Sequence, residues 1–438
     1  MKFDKVCVLG LGYIGLPTAS TFATHGLHVI GVDNNPRVVS TLRNGELHIS
    51  EPGLGKLVKE ALSAGRLVIS DTPESADAFI IAVPTPFYND EQKVQNGREY
   101  RLADMRAVTA ATQSILPHLR RGNLVVLEST SPPRTTLDLV KPILEGLGLK
   151  AGVDFLLAYS PERVLPGRIL QELTENARVI GGINAASAEA GRDLYAHFVR
   201  GEIVLTDATT AEMVKLMENT YRDINIAIAN EFSRLAQRFS VDIWEAIGIA
   251  NRHPRVKILN PGPGVGGHCI SVDPWFLVEA APDLTELIIA ARHLNDTQPH
   301  FVFDLISGIF DGKLPGKHIG LLGLAFKPDV DDLRESPAIE VARLLTEAGV
   351  ILSAYEPNKP DASIPGVTLS LRLEDAIRDT DLLCLLVGHK ELKELDPAWV
   401  RQVSSARWVI DTVGAWDKES WSSAGFTFLR LGDGKQDR

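Results

Sequence analysis

The stretch Lys5–Gly15 reads K-V-C-V-L-G-L-G-Y-I-G and leads from an apolar run into a glycine-rich turn. We predict a strand over Val6–Leu9, a helix that runs through Ala23, and a second strand over His28–Val32. An acidic residue, Asp33, ends that second strand. Strand, G-x-G-x-x-G, helix, strand and acid follow one another as a dinucleotide-binding βαβ unit requires, so the stretch predicts a Rossmann-type fold.

Each glycine of this turn has its own task in such a unit. Gly10 permits the tight turn, Gly12 lets a pyrophosphate reach the helix N-terminus, and Gly15 lets the helix pack on the strand. Asp33 follows Gly15 by 18 residues, close to the ~20 typical of the fingerprint. Its carboxylate would accept hydrogen bonds from a ribose and repel a 2′-phosphate, so we predict NAD as the cofactor.

Further apolar runs predict a parallel sheet around this unit. They are Leu67–Ser70, Ala78–Val83, Leu124–Glu128 and Phe155–Tyr159. Ligands of such sheets lie beyond the carboxyl ends of the strands, which places Thr85 and Thr130 at the cofactor. Hydroxyls beside prolines are also ordinary turn residues, and the sequence leaves that alternative open. The polar stretch Tyr88–Arg101 predicts a surface loop.

The C-terminal third repeats the βαβ pattern in a weaker form. We predict strands over His318–Gly323, Val350–Tyr355, Asp381–Val387 and Trp408–Asp411, and a helix over Ala338–Glu347. Counted from Gly323, Ala325 and Pro328 stand where the second and third glycines would fall. A nucleotide bound by this loop would therefore be held in a different way.

A long helix is predicted between these two regions. Asp207–Arg238 contains no proline or glycine, and a helix of ~30 residues spans ~45 Å, so we expect it to bridge domains and to pack on a second subunit. Lys215, Asn219 and Arg222 share one polar stripe of this helix. Such a stripe is either a solvated face or the wall of a cleft.

A second glycine-rich stretch, Pro261–Asp273, reads P-G-P-G-V-G-G-H-C-I-S-V-D. A cysteine at the end of such a loop is a candidate nucleophile, although a small buried thiol in a turn would explain it equally well. His268, Cys269 and the preceding His253 invite a metal site. No C-x-x-C pair or third ligand with suitable spacing accompanies them, so we predict none.

Composition narrows the class of protein further. A chain of 438 residues predicts two or three domains, and a net charge of −11 without a long basic run argues against nucleic acid and anionic membranes as partners. Three cysteines are too few for a disulfide framework, which favours the cytoplasm. Cys7 and Cys384 lie in apolar strands and are predicted core residues. No apolar run approaches the ~20 residues of a membrane span.

The motifs occur in an order that resembles the UDP-glucose/GDP-mannose dehydrogenase family along nearly the whole chain. They are G-L-G-Y-I-G-L-P, I-A-V-P-T-P, E-S-T-S-P, S-P-E-R-V-L-P-G, K-L-M-E-N-T-Y-R-D-I-N, N-R-H-P-R-V, P-G-P-G-V-G-G-H-C-I-S-V-D-P-W-F and G-L-A-F-K-P-D-V-D-D-L-R-E-S-P. R-V-L-P-G, A-N-R-H-P-R-V and V-D-P-W-F resemble the branch that oxidises UDP-N-acetyl-D-mannosamine. UDP-N-acetyl-D-glucosamine is the alternative substrate, since few residues separate the two branches.

The resemblance implies an α/β protein with two Rossmann-like doubly wound domains, joined by a long central helix and a helical dimerisation domain. We expect an NAD-binding domain over residues 1–200, a central domain with catalytic residues over 201–305, and a UDP-sugar-binding domain over 306–438. A homodimer or higher homo-oligomer is expected. The family usually places the arginine matching Arg255 in the partner's site.

The resemblance also implies a four-electron oxidation of a sugar C6 alcohol to a carboxylate with two NAD. Cys269 matches the nucleophile, which passes through a thiohemiacetal and a thioester. Lys215 and Asn219 match residues that stabilise oxyanion character at C6. Asp273 matches an aspartate that orders water or acts as a base, and Glu162 matches an acid that assists hydrolysis.

The same correspondence gives two sets of binding residues. The UDP-N-acetylhexosamine site comprises Arg163, Val164, Lys215, Asn219, Arg222, His253, Arg255, Gly266, Phe326 and Lys327. The NAD site comprises Gly10, Gly12, Tyr13, Ile14, Gly15, Asp33, Arg37, Thr85, Thr130 and Arg334. Pro166 stands where some UDP-glucose-oxidising relatives carry a second acid, which weakens UDP-glucose as the substrate.

Two other functions compete with this one. A catalytically silent nucleotide-sugar sensor would keep both nucleotide sites, but Cys269, Lys215, Asn219 and Asp273 together argue against it. A two-electron dehydrogenase would stop at the aldehyde or oxidise a simple 3-hydroxy acid. Plain alcohol oxidation needs no thiol, so Cys269 argues against that function as well.

Overall fold

The structure is a computed structural model that describes residues 1–95, 97–267 and 269–435. These residues form two compact units. The first unit comprises Met1–Glu218 and Trp275–Leu284, and the second comprises Asn219–Pro274 and the chain from Thr285 onward. The bounds of the three domains that the sequence resemblance implies stay a prediction.

Among its described residues, the first unit has ten strands, and eight of them form one sheet. The strands are β1 Lys5–Leu9, β2 His28–Val32, β3 Leu67–Ser70, β4 Ala78–Ile81, β5 Phe87–Gln95, β6 Arg98–Ala103, β7 Leu124–Leu127, β8 Leu156–Tyr159, β9 Arg178–Gly182 and β10 Ile203–Asp207. The sheet order is β10-β9-β8-β7-β4-β1-β2-β3, and only the β8–β9 pair is antiparallel. Strand order reverses between β1 and β4, which confirms the predicted Rossmann-like arrangement.

Helices cover both faces of this sheet, so its central strands read as nearly continuous apolar runs. They are α1 Gly15–Thr24, α2 Pro36–Arg43, α3 Leu54–Ser63, α4 Arg106–Ile115, α5 Lys141–Glu145, α6 Ile169–Glu175 and α7 Ala185–Tyr195. Val6 and Val8 point into one hydrophobic core, and Cys7 and Leu9 point into the other. The prediction of Cys7 as a core residue is confirmed, since it is fully buried.

The predicted surface loop over Tyr88–Arg101 is wrong, because β5 and β6 pair as an antiparallel hairpin. Gly97 has φ 75°, a left-handed conformation that suits a hairpin turn; Asn96 lies outside the described residues. The Phe87 ring packs edge-on against Phe276 at 6.1 Å, and Glu279 accepts a hydrogen bond from the Ala103 N–H at 2.8 Å. The hairpin thus has a packed base in spite of its polar composition.

The longest helix begins in the first unit and continues into the second. This helix and those that follow it are α8 Ala208–Arg238, α9 Ile243–Ala250, α10 Asp273–Ala280, α11 Glu286–Asp296 and α12 Gln298–Ile309. In the second unit, Asn230 donates to Asn295 on α11 at 2.9 Å. Arg292 donates to Asp223 at 2.5 Å, and this buried ion pair also joins α8 to α11.

The second unit contains a six-stranded, fully parallel sheet. Its strands are β11 His318–Leu322, β12 Ile351–Tyr355, β13 Val367–Leu369, β14 Leu382–Leu385, β15 Trp408–Asp411 and β16 Thr427–Arg430. Its helices are α13 Pro337–Glu347, α14 Leu373–Ile377, α15 Lys390–Lys393, α16 Pro397–Val403 and α17 Lys418–Ser423. The order β13-β12-β11-β14-β15-β16 again reverses beside the first strand, which confirms a second Rossmann-like sheet. Within the described parts of the chain, no helix has the length and apolarity needed to cross a membrane.

Candidate active site

The turn after β1 has the shape that a dinucleotide-binding loop requires. Gly10 has φ 93°, and a Cβ there would lie 2.5 Å from the Ala82 carbonyl oxygen. A Cβ at Gly15 would lie 1.8 Å from the Gly10 carbonyl oxygen, so close packing demands glycine. A Cβ at Gly12 would meet no atom of the described chain within 4 Å. Gly12 therefore leaves open space just before α1. Contacts of the next two residues, Tyr13 and Ile14, with a cofactor stay a prediction.

Asp33 lies at the carboxyl end of β2 and is half-buried. Its Oδ2 accepts from the Leu11 N–H at 2.9 Å, and its Oδ1 accepts from the Asn35 N–H at 2.8 Å. Arg37 is exposed in the first turn of α2. A carboxylate held beside the glycine turn, together with the open space at Gly12, fits an adenosine diphosphate moiety.

The loops after β4 and β7 are joined by side-chain hydrogen bonds. The Thr85 hydroxyl donates to the Thr130 carbonyl oxygen at 2.7 Å, and the Ser129 hydroxyl donates to the Val83 carbonyl oxygen at 2.7 Å. Thr85 and Thr130 are thus brought together at the carboxyl edge of the sheet. Their contact with a cofactor stays a prediction.

Glu162 follows β8 at the same edge and is buried. Its Oε2 accepts from Arg178 Nη1 at 3.0 Å, and its Oε1 accepts from the Arg163 N–H at 2.7 Å. The Arg163 side chain pairs with Glu218 on α8, with Nε 3.0 Å from Oε2. Val164 packs against the adjacent hydrophobic core.

Cys269 lies in the second unit and is exposed. The Gly262 N–H donates to Asn230 Oδ1 at 3.0 Å, and the Gly267 N–H donates to the Arg334 carbonyl oxygen at 3.0 Å. Two fixed points therefore hold the stretch that leads to the cysteine. After it, the Asp273 N–H donates to the Cys269 carbonyl oxygen at 2.8 Å, which closes a turn into α10.

Asp273 is the first residue of α10 and is only 2% exposed. Its Oδ2 accepts from Asn219 Nδ2 at 2.6 Å. A carboxylate at a helix N-terminus is stabilised by the helix dipole and by free N–H groups. Lys215 stands one turn before Asn219 on α8 and is half-buried. The structure thus brings together Asn219 and Asp273, two of the predicted catalytic residues.

The glycines beside the cysteine pack against protein. A Cβ at Gly266 would lie 2.4 Å from the Glu335 carbonyl oxygen, and one at Gly267 would lie 2.7 Å from the Phe326 ring. Close approach by the chain itself therefore accounts for these two glycines. Contact between Gly266 and a substrate stays a prediction.

A cavity of about 310 Å³ lies at the carboxyl edge of the second sheet. Its wall includes the loops 325–328, 386–388 and 413–415, which follow β11, β14 and β15. Lys327 and Lys393 supply positive charge, and Pro337 and Ala338 place the N-terminus of α13 in the wall. Two ammonium groups and a helix N-terminus suit an anionic ligand such as a diphosphate.

Sequence models of three domains match the chain in order. They are the UDP-glucose/GDP-mannose dehydrogenase family's NAD binding domain over residues 4–199, its central domain over 209–297 and its UDP binding domain over 320–418. The chain belongs to the UDP-glucose/GDP-mannose dehydrogenase family. It is therefore a nucleotide-sugar dehydrogenase with an NAD-binding domain, and the predicted resemblance is confirmed.

Similar members of the UDP-glucose/GDP-mannose dehydrogenase family match nearly end to end. A UDP-N-acetyl-D-mannosamine dehydrogenase of Methanococcus maripaludis (strain C7) is 46% identical, over 98% of this chain and 97% of its own. An NDP-N-acetyl-D-galactosaminuronic acid dehydrogenase of Ralstonia solanacearum is also 46% identical, over 95% and 97%. The solved UDP-D-ManNAc dehydrogenase of Pyrococcus horikoshii is 39% identical with a TM-score of 0.89, over 98% and 100%.

Four predicted binding residues of this family member lie on exposed segments of the second unit. Arg222 is on α8, and His253 and Arg255 follow α9. Arg334 forms a two-point ion pair with Asp332, with Nε 2.8 Å from Oδ1 and Nη2 2.6 Å from Oδ2. Their contacts with ligands stay predictions. His268 of the considered metal site lies outside the described residues.

Sequence reasoning missed the acid of the second βαβ unit. Glu356 follows β12 and is fully buried, and its Oε2 accepts from the N–H groups of Leu324 and Ala325 at 2.7 and 2.9 Å. His389 Nδ1 accepts from the Asp329 N–H at 2.9 Å, so His389 Nε2 donates to Glu356 at 3.0 Å. Burial opposes the charged form, yet these hydrogen bonds hold the pKa of Glu356 below its ordinary value.

Glu356 explains how the loop after β11 keeps its shape although it lacks the second and third glycines of the fingerprint. The acid braces the loop that carries Phe326 and Lys327, and its burial keeps it from a ribose. In the sequence, this acid could have been found from the E-P dipeptide that directly follows the predicted strand Val350–Tyr355. Two further functional candidates were missed, Glu128 directly after the apolar run L-V-V-L and Arg178 directly before V-I-G-G. A charged residue next to a buried strand was the available signal.

Proposed function

We propose that the chain oxidises UDP-N-acetyl-D-mannosamine to UDP-N-acetyl-D-mannosaminuronate with NAD. The observation that carries the proposal is the exposed Cys269 one turn before α10, with Asp273 held by Asn219 at the start of that helix. Full-length relatives named UDP-N-acetyl-D-mannosamine dehydrogenase support the substrate.

When bound, NAD would supply the hydride acceptor for both oxidation steps. The Gly10–Gly15 turn, Asp33 and the Thr85–Thr130 pair would hold it. The half-buried, bonded carboxylate of Asp33 supports NAD over NADP, because a 2′-phosphate would meet its negative charge. Contacts of Tyr13, Ile14, Arg37 and Arg334 with this cofactor belong to the same proposal.

Different side chains carry out different steps of the reaction at C6. The Cys269 thiolate adds to the C6 aldehyde, and the resulting sp³ carbon can release a second hydride to leave a thioester. Water then attacks the thioester carbonyl carbon, the C–S bond breaks and the thiolate returns. Lys215 and Asn219 stabilise negative charge on the C6 oxygen, and Asp273 orders the water.

The cavity of the second unit is the proposed binding site for the UDP moiety. Its lysines, Lys327 and Lys393, and the N-terminus of α13 suit a diphosphate. The Phe326 side chain also lines this cavity and offers an apolar surface. We assign the sugar end to the remaining predicted residues: Arg163, Val164, Arg222, His253, Arg255 and Gly266.

The proposal is tested with four substrates: UDP-N-acetyl-D-mannosamine, UDP-N-acetyl-D-galactosamine, UDP-N-acetyl-D-glucosamine and UDP-glucose. We expect the first to give the highest kcat/KM, with two NADH formed for each sugar consumed. One NADH per sugar would contradict the four-electron reaction. The galactosamine sugar is the second candidate, because the Ralstonia solanacearum relative is as similar as the mannosamine dehydrogenase of Methanococcus maripaludis.

We also propose that the enzyme is a homodimer formed through α8. Exposed large apolar side chains on α8 and at the residue after it recur at steps of four, seven, four, three and four residues, as Met217, Tyr221, Ile228, Phe232, Leu235 and Phe239. Such a stripe is the pattern of a helix that packs on another helix, and a second copy presents the same stripe.

The double substitution Phe232→Glu and Leu235→Glu should convert the dimer to a monomer, because it places four charges in a symmetric apolar interface. Sedimentation equilibrium measures the mass. Glu231→Lys is the matched control, because it changes an exposed charge beside the stripe and should leave the dimer intact. A wild type that sediments as a monomer at micromolar concentration would exclude this interface.

A further inference from the structure

A buried network of side-chain hydrogen bonds joins α8 to α11 in the second unit. Asp223 and Asn230 on α8 are each 0% exposed, and Arg292 and Asn295 on α11 are each 1% exposed. None of the four belongs to the predicted catalytic or binding residues. Buried polar groups are unfavourable unless each has a partner, so the course of their hydrogen bonds shows what the network holds in place.

One end of the network is the glycine-rich stretch 261–269 that leads to Cys269, here called the thiol loop. The Gly262 N–H donates to Asn230 Oδ1 at 3.0 Å. Gly262 stands between two prolines, which carry no N–H, so its amide is the single backbone donor of residues 261–263. This hydrogen bond therefore fixes the start of the thiol loop to α8.

The side-chain amides of the network all point in one direction. Because Asn230 Oδ1 accepts from Gly262, its Nδ2 faces α11, where it donates to Asn295 Oδ1 at 2.9 Å. Asn295 Nδ2 in turn donates to Asp223 Oδ1 at 2.8 Å and to the Asp223 carbonyl oxygen at 3.0 Å. Arg292 Nη1 donates to the same Asp223 Oδ1. A relay of hydrogen bonds thus runs from a buried ion pair to the thiol loop, and each group orients the next.

The same face of α8 supports the chain on both sides of Cys269. Asn230 follows Asn219 by 11 residues, which is close to three turns of ~3.6 residues, so the two side chains share one face. Asn230 holds the start of the thiol loop, and Asn219 donates to Asp273, four residues after Cys269. One helix therefore fixes the segment that carries the thiol before and after the thiol itself.

We propose that Asn230 and Asn295 are positioning residues for the nucleophile Cys269. Asn230 holds the thiol loop directly, and Asn295 acts through Asn230 by keeping the Asn230 oxygen turned toward the loop. The inference rests on the proposed function, in which the Cys269 thiolate adds to the C6 aldehyde. That addition needs sulfur and carbon about 3–3.5 Å apart, and a displacement of ~1 Å can cost up to ~100-fold in rate.

Only one of the two oxidations should depend on the relay. In the first, the C6 alcohol loses its hydroxyl proton and transfers a hydride to NAD, and no bond to sulfur forms. In the second, the thiolate adds to the aldehyde carbon to give an oxyanion, and the adduct transfers a hydride to a second NAD as the carbonyl re-forms in a thioester. A displaced thiol loop should therefore slow the second oxidation and spare the first.

Hydrogen exchange tests the anchor without any reaction. Ligand-free, full-length enzyme is moved into D₂O and digested, and mass spectrometry with fragmentation resolves the Gly262 amide, since its proline neighbours give no signal. In the wild type this amide should be protected. Asn230→Ala should exchange it about tenfold faster or more, and Asn295→Ala should show a smaller increase. A wild-type Gly262 that exchanges as fast as an unstructured peptide would overturn the inference.

Single-turnover kinetics test the consequence for catalysis. Enzyme in saturating excess consumes UDP-N-acetyl-D-mannosamine with NAD present, and rapid quenching separates alcohol, aldehyde and uronate. Excess enzyme keeps affinity out of the rates, because Pro263 and Gly264 of the thiol loop also line the cavity proposed for UDP. Asn230→Ala should consume the alcohol within about twofold of wild type and convert the aldehyde roughly tenfold more slowly or worse. Asn295→Ala should show the same split at a smaller size.

Gln298→Met is the matched control for loss of a buried amide next to α8. Gln298 on α12 is fully buried, its Oε1 accepts from Arg234 Nε at 2.9 Å, and its Nε2 donates to Ser233 Oγ at 3.4 Å. Methionine keeps a similar volume and removes these hydrogen bonds to α8, while the relay stays whole. Exchange at Gly262 and conversion of the aldehyde should both stay at the wild-type rate.

Three further results would overturn the inference. They are equal slowing of both oxidations in Asn230→Ala, selective slowing of the second oxidation in Gln298→Met, and an Asn295→Ala enzyme that matches wild type in both measurements. Asn295→Ala and the wild-type exchange rate decide the matter if Asn230→Ala does not fold. A wild type with a protected Gly262 that makes no uronate from any of the four sugars would instead refute the proposed function, and the role in catalysis with it.

Discussion

Replacement of Cys269 by serine should lower the rate of uronate release by on the order of 10³-fold or more. A serine hydroxyl is a far weaker nucleophile than a thiolate, so the C6 aldehyde or its hemiacetal should accumulate on the enzyme. The measurement is a rapid-quench assay that separates sugar alcohol, aldehyde and uronate. A variant that still makes uronate at the wild-type rate would exclude covalent catalysis by Cys269.

Cys7→Ala is the matched control for the loss of a thiol. Cys7 is fully buried in β1, and burial raises the pKa of its thiol to about 11, so it supplies no thiolate near neutral pH. Its replacement removes only one buried sulfur atom, and uronate release should stay within a few-fold of wild type. A comparable loss of activity in Cys7→Ala would point to general damage in place of a missing nucleophile.

The second large effect is expected at Gly15, where alanine should destabilise the first unit by about 3 kcal/mol or more. An added Cβ would lie 1.8 Å from the Gly10 carbonyl oxygen, which belongs to the backbone of the same turn and cannot move aside. Urea denaturation followed by circular dichroism measures the free energy of unfolding. A Gly15→Ala protein as stable as wild type would contradict the tight packing of α1 on β1.

Gly12→Ala separates ligand binding from folding in the same turn. No atom of the described chain lies within 4 Å of a Cβ built there, so the free energy of unfolding should change by about 1 kcal/mol or less. The methyl group would occupy the space predicted for the pyrophosphate, and NAD affinity should fall roughly tenfold or more. Isothermal titration with NAD measures that loss, and an unchanged affinity would place the cofactor elsewhere.

Local pattern was enough to predict most of the fold. The apolar run before Gly10 predicted β1, and β2 and β3 have the predicted bounds His28–Val32 and Leu67–Ser70. β1 and β2 are buried on both faces except at their first residues, so each is a continuous apolar run in the sequence. β3 lies at the edge of the sheet with Val68 exposed, and its apolar L-V-I run was still sufficient to predict it. The hairpin of β5 and β6 was missed because its strands are polar, and the N-G dipeptide in the sequence between them was a local signal for it.

The candidate site was predictable where its residues stand in a motif and unpredictable where they meet across the sheet. Asn219 and Asp273 were predicted from their motifs, and the hydrogen bond between them was not. Glu128 and Arg178 form a buried ion pair, yet they are 50 residues apart in the chain. No local spacing in the sequence could therefore predict this pair. The pKa of Glu128 depends on that pairing and on burial, both of which require the folded structure.

The acid that follows the second strand is used in opposite ways by the two βαβ units. Asp33 is half-buried beside the glycine turn, where the proposed function gives it the choice between NAD and NADP, whereas Glu356 is fully buried and holds the loop after β11 by hydrogen bonds. Under the proposed function, a substitution at Asp33 should therefore change cofactor preference and leave the cavity of the second unit intact. A substitution at Glu356 should instead disturb the structure. It would loosen the loop after β11 and leave His389 Nε2 without its hydrogen-bond acceptor. Of these two acids, Asp33 is therefore the one that is open to redesign.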